Sequence, residues 1–512
     1  MDATDWLASA DLPAAWRGRA AWTVLDAAFA EGAHFLATWQ AWQSDPQRPA
    51  LLHYVGVASR IPATFTPPSA LAGHPGWRPL WDTLLQACAD RGPGFHRIRL
   101  AQGRLSLTLC IGPVRAMLLE HSFVADTLRA WLPCDTWAAQ LLARRCRRGT
   151  RCSLHPIDQH ASSSEAPANG ASPERLVQGV GFERTAAADD GTWVGQFNPH
   201  WEIRRSRNQP DLAVTQPARC AVVGAGLSGA SVARALALRG WQVSVYDQEA
   251  APARAASGLP AGLCVPHVSV DDSPRSRLSR IGSRLSLQHA QELLVCGQDW
   301  APSGVEEHSP GTNGLWHAHA GWIKPAALVA AWLDHPAIRW VGLTAVDALV
   351  RTGSVWQLHD SQGRCCGEAE LVVLANALGC VRLLRPLLAT AGTASNALSA
   401  TLAGLHAVHG TLSSGGHIEA LEGLPAAPRN GHGCFIPNLP GSDGLHWVAG
   451  STYTTDAVAA SDVWEQHARN MQRLQHLLGA DGAALVAALE RGPLAPWSAT
   501  RCVAHDRLPL LG

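Results

Sequence analysis

The sequence predicts an α/β protein organised as two successive domains. Three observations carry this reading. Strand-like and helix-like segments alternate over residues 1–125, a glycine-rich turn joins a strand to a helix near residue 224, and the alternation resumes after Gln209-Pro210 and continues to the end. Strands that alternate with helices place the helices on the faces of a largely parallel sheet.

In the first region the apolar runs Trp22–Leu25, Leu51–Val57 and Leu105–Ile111 read as strands, and Ala33–Trp42 and Leu80–Asp90 read as helices. From about residue 126 to 192 this pattern breaks down. An arginine cluster, Arg144, Arg145, Arg147, Arg148 and Arg151, runs into Ser- and Ala-rich sequence from His160 to Ser172, and disorder is expected over 157–175. The boundary is placed near 208–218, giving a first domain of 1–207 and a second of 218–512.

The bulk numbers narrow the function classes. At 512 residues, 47% hydrophobic and 16% charged, the chain has the composition of a globular protein with sizeable cores. The 41 Lys and Arg balance the 41 Asp and Glu, so no global field draws in nucleic acid, and RNA binding would rest on local patches. The basic charge is nearly all arginine; Lys324 is the single lysine. The 13 cysteines never fall as Cys-x-x-Cys and the histidines show no His-Glu-x-x-His pair, so no metal site is expected. Reduced thiols, an N-terminus without a basic-then-apolar leader, and no apolar stretch of roughly 18 residues point to a cytoplasmic protein without a membrane or DNA partner.

The chemistry is concentrated after residue 219. Cys220–Val223 is a short apolar strand, and Gly224-Ala225-Gly226-Leu227-Ser228-Gly229 follows it directly. Ala230–Leu238 is a helical run stopped by Arg239-Gly240, and Trp241–Tyr246 is a second strand ending in Asp247 and Gln248. Gly224 permits the tight turn, Gly226 lets backbone amides approach a pyrophosphate, and Gly229 lets helix pack on strand. The helix N-terminus adds partial positive charge. Asp247, 23 residues after Gly224, lies where an acid accepts hydrogen bonds from ribose hydroxyls. This spacing predicts a dinucleotide site, and spacing alone leaves FAD and NAD both open.

The following segments resemble one flavoprotein family. Ala255-Ala-Ser-Gly-Leu-Pro-Ala-Gly-Leu263, Pro266, Asp271-Asp-Ser-Pro-Arg-Ser-Arg-Leu278, Gly321-Trp-Ile-Lys-Pro325, Leu371-Val-Val-Leu-Ala-Asn-Ala377 and the stretch from Arg501 to Gly512 are similar, in order, to the bifunctional tRNA 5-methylaminomethyl-2-thiouridine biosynthesis proteins. Asp11-Leu-Pro-Ala-Ala-Trp16 and Phe35-Leu-Ala-Thr-Trp39 resemble the methyltransferase half of that family. The resemblance covers most of the chain except about 126–175. It implies a Rossmann-like methyltransferase domain followed by an FAD domain of the D-amino-acid oxidase type, with a mixed-sheet substrate layer. It also implies an oxidoreductase that removes the carboxymethyl unit from a modified wobble uridine of tRNA, after which S-adenosylmethionine methylates the exposed amine.

By the same resemblance Ser257, Gly258, Ala261, Gly262 and Leu263 lie against the flavin, beside the pyrophosphate residues Gly224, Ala225, Gly226, Ser228 and Gly229. Arg501, just before Asp506-Arg-Leu-Pro509, aligns with an arginine that holds the substrate carboxylate; a surface or interdomain salt bridge is the other reading of this residue. No catalytic base is assigned. The arginine cluster at 144–151 either contacts tRNA phosphates or is a solvated linker, and Arg275, Arg277, Arg280 and Arg284 stand on a helical segment that would guide RNA.

The chain departs from the family in both halves. The S-adenosylmethionine loop, acid-x-Gly-Phe-Gly-x-Gly in the family, reads Asp26-Ala-Ala-Phe-Ala-Glu-Gly32, so Ala28 and Ala30 replace glycines. The acid for the ribose is replaced by Ala58, the acid near the adenine by Pro113, and the family's catalytic Asp-Gly-Phe-Ala-Pro segment is missing between residues 120 and 150. A degenerate methyltransferase domain that binds no S-adenosylmethionine is the expectation. In the second half the family's Arg-Gly-Gln appears as His409-Gly410-Thr411. The family pattern also continues past Gly512, so a C-terminally incomplete flavin site is expected unless it is completed in another way. A small-molecule amine or amino-acid oxidase and a non-catalytic remnant are the alternatives.

Overall fold

The computed structural model describes residues 3–60, 73–88, 92–121, 123–156, 172–187, 190–203, 217–308, 314–390, 395–455, 462–479 and 482–511. The chain forms two compact units, Met1–Ala213 and Val214–Gly512.

The first unit is built on an eight-stranded sheet. Its spatial order is Gly94–Leu100, Leu105–Ile111, Leu51–Ala58, Ala21–Asp26, Ala125–Trp131, Cys146–His155, Trp193–Phe197, Phe182–Ala187. The strands from Leu105–Ile111 to Cys146–His155 run parallel, and the outer ones are antiparallel. The order reverses between Ala21–Asp26 and Ala125–Trp131, which makes the carboxyl ends of that pair the topological switch point where this architecture opens a ligand crevice. Leu105–Ile111 alternates Leu105, Leu107, Leu109 and Ile111 with the small buried Ser106, Thr108 and Cys110, a period-two pattern that made the strand legible to the residue.

One face of this sheet buries an indole-rich core of Trp6, Trp16, Trp39, Trp77 and Trp81 with Phe35. Burying an indole strands its N–H unless an acceptor is supplied. Trp16 donates to Asp45 Oδ2 at 2.7 Å, Trp22 to the Thr127 hydroxyl at 3.0 Å and Trp42 to the Pro49 carbonyl at 2.9 Å. The other face packs Leu118, Leu142, Val177, Phe182 and Trp193.

The expectation that the pattern fails after residue 126 is corrected here. Strands Ala125–Trp131, Cys146–His155, Phe182–Ala187 and Trp193–Phe197 and helices Thr136–Arg144 and Pro173–Gly179 continue the layer. Charge hid the strand Cys146–His155, because tertiary partners absorb its arginines. Arg147 pairs with Asp126, Arg151 with Asp11 at 2.8 Å, and Arg148 donates to Asn198 Oδ1 at 2.9 Å and the Trp201 carbonyl at 3.1 Å. Residues 157–171 lie outside the described residues. Ser172, expected to lie in a disordered stretch, instead caps the helix Pro173–Gly179 by accepting from Arg175 N–H.

The second unit has a parallel four-stranded sheet in the order Ile338–Val341, Gln242–Tyr246, Arg219–Val223, Leu371–Leu374. Beside it is a mixed seven-stranded sheet in the order Leu315–His317, Val305–Glu307, Arg429–Gly431, Gly433–Gly441, Gly444–Thr454, His406–Gly416, Trp497–Val503. Helix Val463–Leu478 lays Met471, Leu474 and Leu477 against Phe435, Trp447 and Ala449 of that sheet. Two small antiparallel sheets complete the unit. A cofactor layer next to a mixed-sheet layer is the architecture that the resemblance implied. Among the described residues no helix is long and apolar enough to cross a membrane.

Candidate functional site

The strand Arg219–Val223 ends in a turn where glycine is required. Gly224 has φ +103, and a Cβ there would stand 2.6 Å from the Ala375 carbonyl oxygen. Its N–H donates to the Tyr246 carbonyl at 2.8 Å, which ties the turn to the second strand. Gly226 is the N-cap of helix Leu227–Ala237, and a Cβ on it would approach the Ser257 hydroxyl at 2.9 Å. A Cβ on Gly229 would run into the Gly224 carbonyl and lie 3.3 Å from Val222 Cγ1, so helix and strand meet there at backbone distance. The helix starts at Leu227, ahead of the apolar run that marked it in the sequence, because its first turn is made of Leu227, the exposed Ser228 and Gly229.

Asp247 joins this turn to the second strand. Its Oδ2 accepts from the Ala225 N–H at 2.7 Å and its Oδ1 from the Glu249 N–H at 3.0 Å. Gln248 beside it is exposed. The Ser257 hydroxyl accepts from the Leu227 N–H at 2.9 Å, so a loop that follows by thirty residues closes on the helix N-terminus. Gly258 N–H returns to the Ala255 carbonyl at 2.8 Å. Ala261 is buried with Trp322, Leu412 and Val448, and Leu259 and Leu263 pack beside it. Gly262–Cys264 forms a strand with Gly321–Ile323. The structure thus gathers Gly224, Ala225, Gly226, Gly229, Asp247 and Ser257 at one helix N-terminus. Ala261 and Leu263 lead away from there to the mixed sheet. Burial pushes the Cys264 thiol up to about 11, which keeps it protonated near neutral pH.

One residue here escaped sequence reasoning. Asn376 follows the strand Leu371–Leu374, and its Oδ1 is buried without a hydrogen-bond partner among the described residues. Its backbone nitrogen lies 2.8 Å from where a Gly224 Cβ would be, and Ala377 after it has φ +52. The signal was available: Asn376 lies two residues beyond the strand that pairs in parallel with the glycine-turn strand. A cradle that any Cβ would fill, amides at a helix N-terminus and an orphaned buried acceptor fit a dinucleotide cofactor.

Arg501 lies on the edge strand Trp497–Val503, exposed, with its guanidinium 5.4 Å from the centre of the Tyr453 ring. Among the described residues no carboxylate pairs with it, so the salt-bridge reading finds no partner there. Its face of the sheet follows from register. Val408 pairs with Arg501, Leu412 with Trp497 and Gly410 with Tyr453. Alternation puts Arg501 and Tyr453 on the side of Leu412, which packs against Ala261 of the Ser257–Leu263 segment. The substituted His409 accepts or donates with the Thr500 hydroxyl at 2.9 Å, and Thr411 with Ser498 at 2.9 Å.

On helix Pro274–Leu293, Arg277 and Arg280 both engage Asp272, while Arg275 is exposed.

The crevice of the first unit is different. Its acid, Asp26, is 1% exposed and already accepts from Arg129, Tyr54 and the Ala28 amide. Residues in this state do not fit S-adenosylmethionine.

Residues 219–305 match the family described as FAD dependent oxidoreductase. A tRNA 5-methylaminomethyl-2-thiouridine biosynthesis bifunctional protein MnmC from Polaromonas naphthalenivorans is 39% identical over 99% of this chain and 84% of its own length. A protein of the same name from Albidiferax ferrireducens is 39% identical over 98% of this chain and 85% of its own. A glycine oxidase from Geobacillus kaustophilus is similar with a TM-score of 0.43 and 17% identity, over 57% of this chain and 85% of that one. At this identity over nearly its whole length, the chain belongs to the family of tRNA 5-methylaminomethyl-2-thiouridine biosynthesis bifunctional proteins.

Proposed function

We propose that this chain removes the carboxymethyl group from 5-carboxymethylaminomethyl-2-thiouridine at the wobble position of tRNA, in the cytoplasm, using FAD held by its second unit. The observation that carries the reading is the glycine cradle beside Asn376, with Arg501 and Tyr453 on the sheet face that packs against the Ser257–Leu263 segment.

Bound FAD would supply the two-electron oxidant for the C–H next to the substrate amine. The chain's residues do the rest. The Gly226, Ser228 and Gly229 N–H groups, beside the Leu227 N–H already given to Ser257, would hold the pyrophosphate, and Asp247, fixed by the Ala225 N–H, would offer its remaining lone pairs to the ribose. Arg501 takes the substrate carboxylate through its planar fork, its side chain steadied by the Tyr453 ring. Loss of hydride and a proton from N–CH2–COO⁻ leaves an imine, and water splits it into glyoxylate and the primary amine of the uridine.

The test is the visible spectrum of purified protein with added FAD, followed by nucleoside mass spectrometry of tRNA bearing the carboxymethylaminomethyl group. Flavin bands, glyoxylate and the aminomethyl nucleoside are expected, with tRNA affinity falling steeply with salt. Turnover of small amines with inert tRNA would make this a small-molecule oxidase. A colourless protein that FAD cannot reconstitute would refute any flavin chemistry.

A further inference from the structure

We infer that the first unit is closed to S-adenosylmethionine by its own side chains, so the primary amine released by oxidation is N-methylated by a separate S-adenosylmethionine-dependent enzyme. The second clause rests on the proposed function, whereas the first rests on geometry alone.

The crevice lies where Ala21–Asp26 and Ala125–Trp131 end side by side. Asp26 Oδ1 accepts from Arg129 Nη1 at 2.9 Å and from the Ala28 N–H at 3.1 Å, and Oδ2 accepts from the Tyr54 hydroxyl at 2.8 Å. The same Arg129 nitrogen donates to the Ala28 carbonyl at 2.9 Å, and the Arg129 carbonyl accepts from Ala27 N–H at 2.7 Å. The loop meant to embrace a ligand is therefore bonded to the neighbouring strand. Ala27, Ala28 and Phe29 are all buried. The Phe29 ring lies over Gly56 so closely that a Cβ there would be 2.5 Å from it, and its edge meets Tyr54 with centroids 6.4 Å apart.

The two other contacts a nucleoside would seek are gone as well. Ala58, at the end of Leu51–Ala58, has no side-chain acceptor for ribose hydroxyls, and its carbonyl already receives the Gly112 N–H at 2.9 Å. Pro113 has neither a carboxylate nor an N–H. S-adenosylmethionine is a cation, and the Asp26 carboxylate at its crevice is neutralised by a tethered guanidinium. A diffusing cation would have to strip that guanidinium from a buried carboxylate and then find no polar partner for its sugar.

The experiment uses the full chain with two tRNA substrates. The first already bears 5-aminomethyl-2-thiouridine, which bypasses oxidation; with methyl-labelled S-adenosylmethionine, no label is expected in it. A curated relative assayed in parallel shows that the tRNA is competent. The second bears the carboxymethylaminomethyl group, and with FAD and S-adenosylmethionine it is expected to stop at the aminomethyl nucleoside until another methyltransferase is added. Labelled aminomethyl tRNA, or saturable binding of S-adenosylmethionine in equilibrium dialysis, overturns the closure. Failure to oxidise the second substrate, with the first left unlabelled, refutes the proposed function and leaves the closure standing.

Discussion

Replacing Arg129 with leucine separates the two roles a buried ion pair can have. The substitution removes the guanidinium and leaves the Asp26 carboxylate buried, with only the Tyr54 hydroxyl and the Ala28 amide to solvate it. Breaking one side of a buried pair costs about 3–5 kcal/mol, because the orphaned charge stays in a low-dielectric site. For a unit of this size each kcal/mol moves the melting temperature by roughly 2–4 °C, so Arg129→Leu is expected to lower the transition of the first unit by roughly 6–20 °C. Adding Asp26→Asn removes the stranded charge and keeps an acceptor for Tyr54. The double variant should recover most of the loss, with a residual cost of about 1 kcal/mol for the weakened hydrogen bonds. Calorimetry of the full chain, with the transition assigned by fluorescence of the buried Trp6, Trp16, Trp77 and Trp81, reads the effect. A single variant that melts within about 2 °C of the parent, or a double variant less stable than the single, would refute the account of this crevice.

Other outcomes follow from the same geometry. Gly229→Ala drives a methyl group into the Gly224 carbonyl; overpacking of about 1–3 kcal/mol should weaken FAD by roughly 10–100-fold, read by quenching of flavin fluorescence. Arg501→Met is expected to raise KM for the carboxylate-bearing tRNA far more than it lowers kcat, with FAD affinity unchanged; an unaltered KM counts against a carboxylate role. Burial, helped by the Arg129 charge, pushes His155 down from 6.5 to about 4, so the folded state keeps it neutral. Because the unfolded chain takes up this proton first, the contribution is present above pH 6.5 and is lost as pH falls from 6.5 to about 4. That amounts to about 3 kcal/mol. Urea midpoints of the first unit should fall across this window, and His155→Gln should flatten the slope.

The glycine turn was legible because each of its glycines answers a local backbone demand that no other residue meets, and the strand, turn and acid sit close together in sequence. The central strands showed through for a similar reason, since their β-branched and apolar residues recur at strand spacing with only single polar residues, Thr23, His53, Ser106 and Thr108, between them. What stayed hidden depends on distant partners. Asp26 and Arg129 are 103 residues apart, and nothing local to either marks them as a pair. The strand Cys146–His155 looked like a solvated linker because its arginines find acids and carbonyls elsewhere in the fold. Tyr453 and Arg501 meet across the strand His406–Gly416 that separates theirs, a relation set by register alone.

The closed crevice also changes how the two units respond to their surroundings. A site that takes a diffusible ligand gains stability as RT ln(1 + [L]/Kd), so its resistance to unfolding rises and falls with supply. Arg129 behaves as a ligand whose local concentration is fixed by the covalent chain and never falls. The second unit is thereby left to track the cell's flavin, while the first keeps one constant stability whatever the state of methyl-donor metabolism.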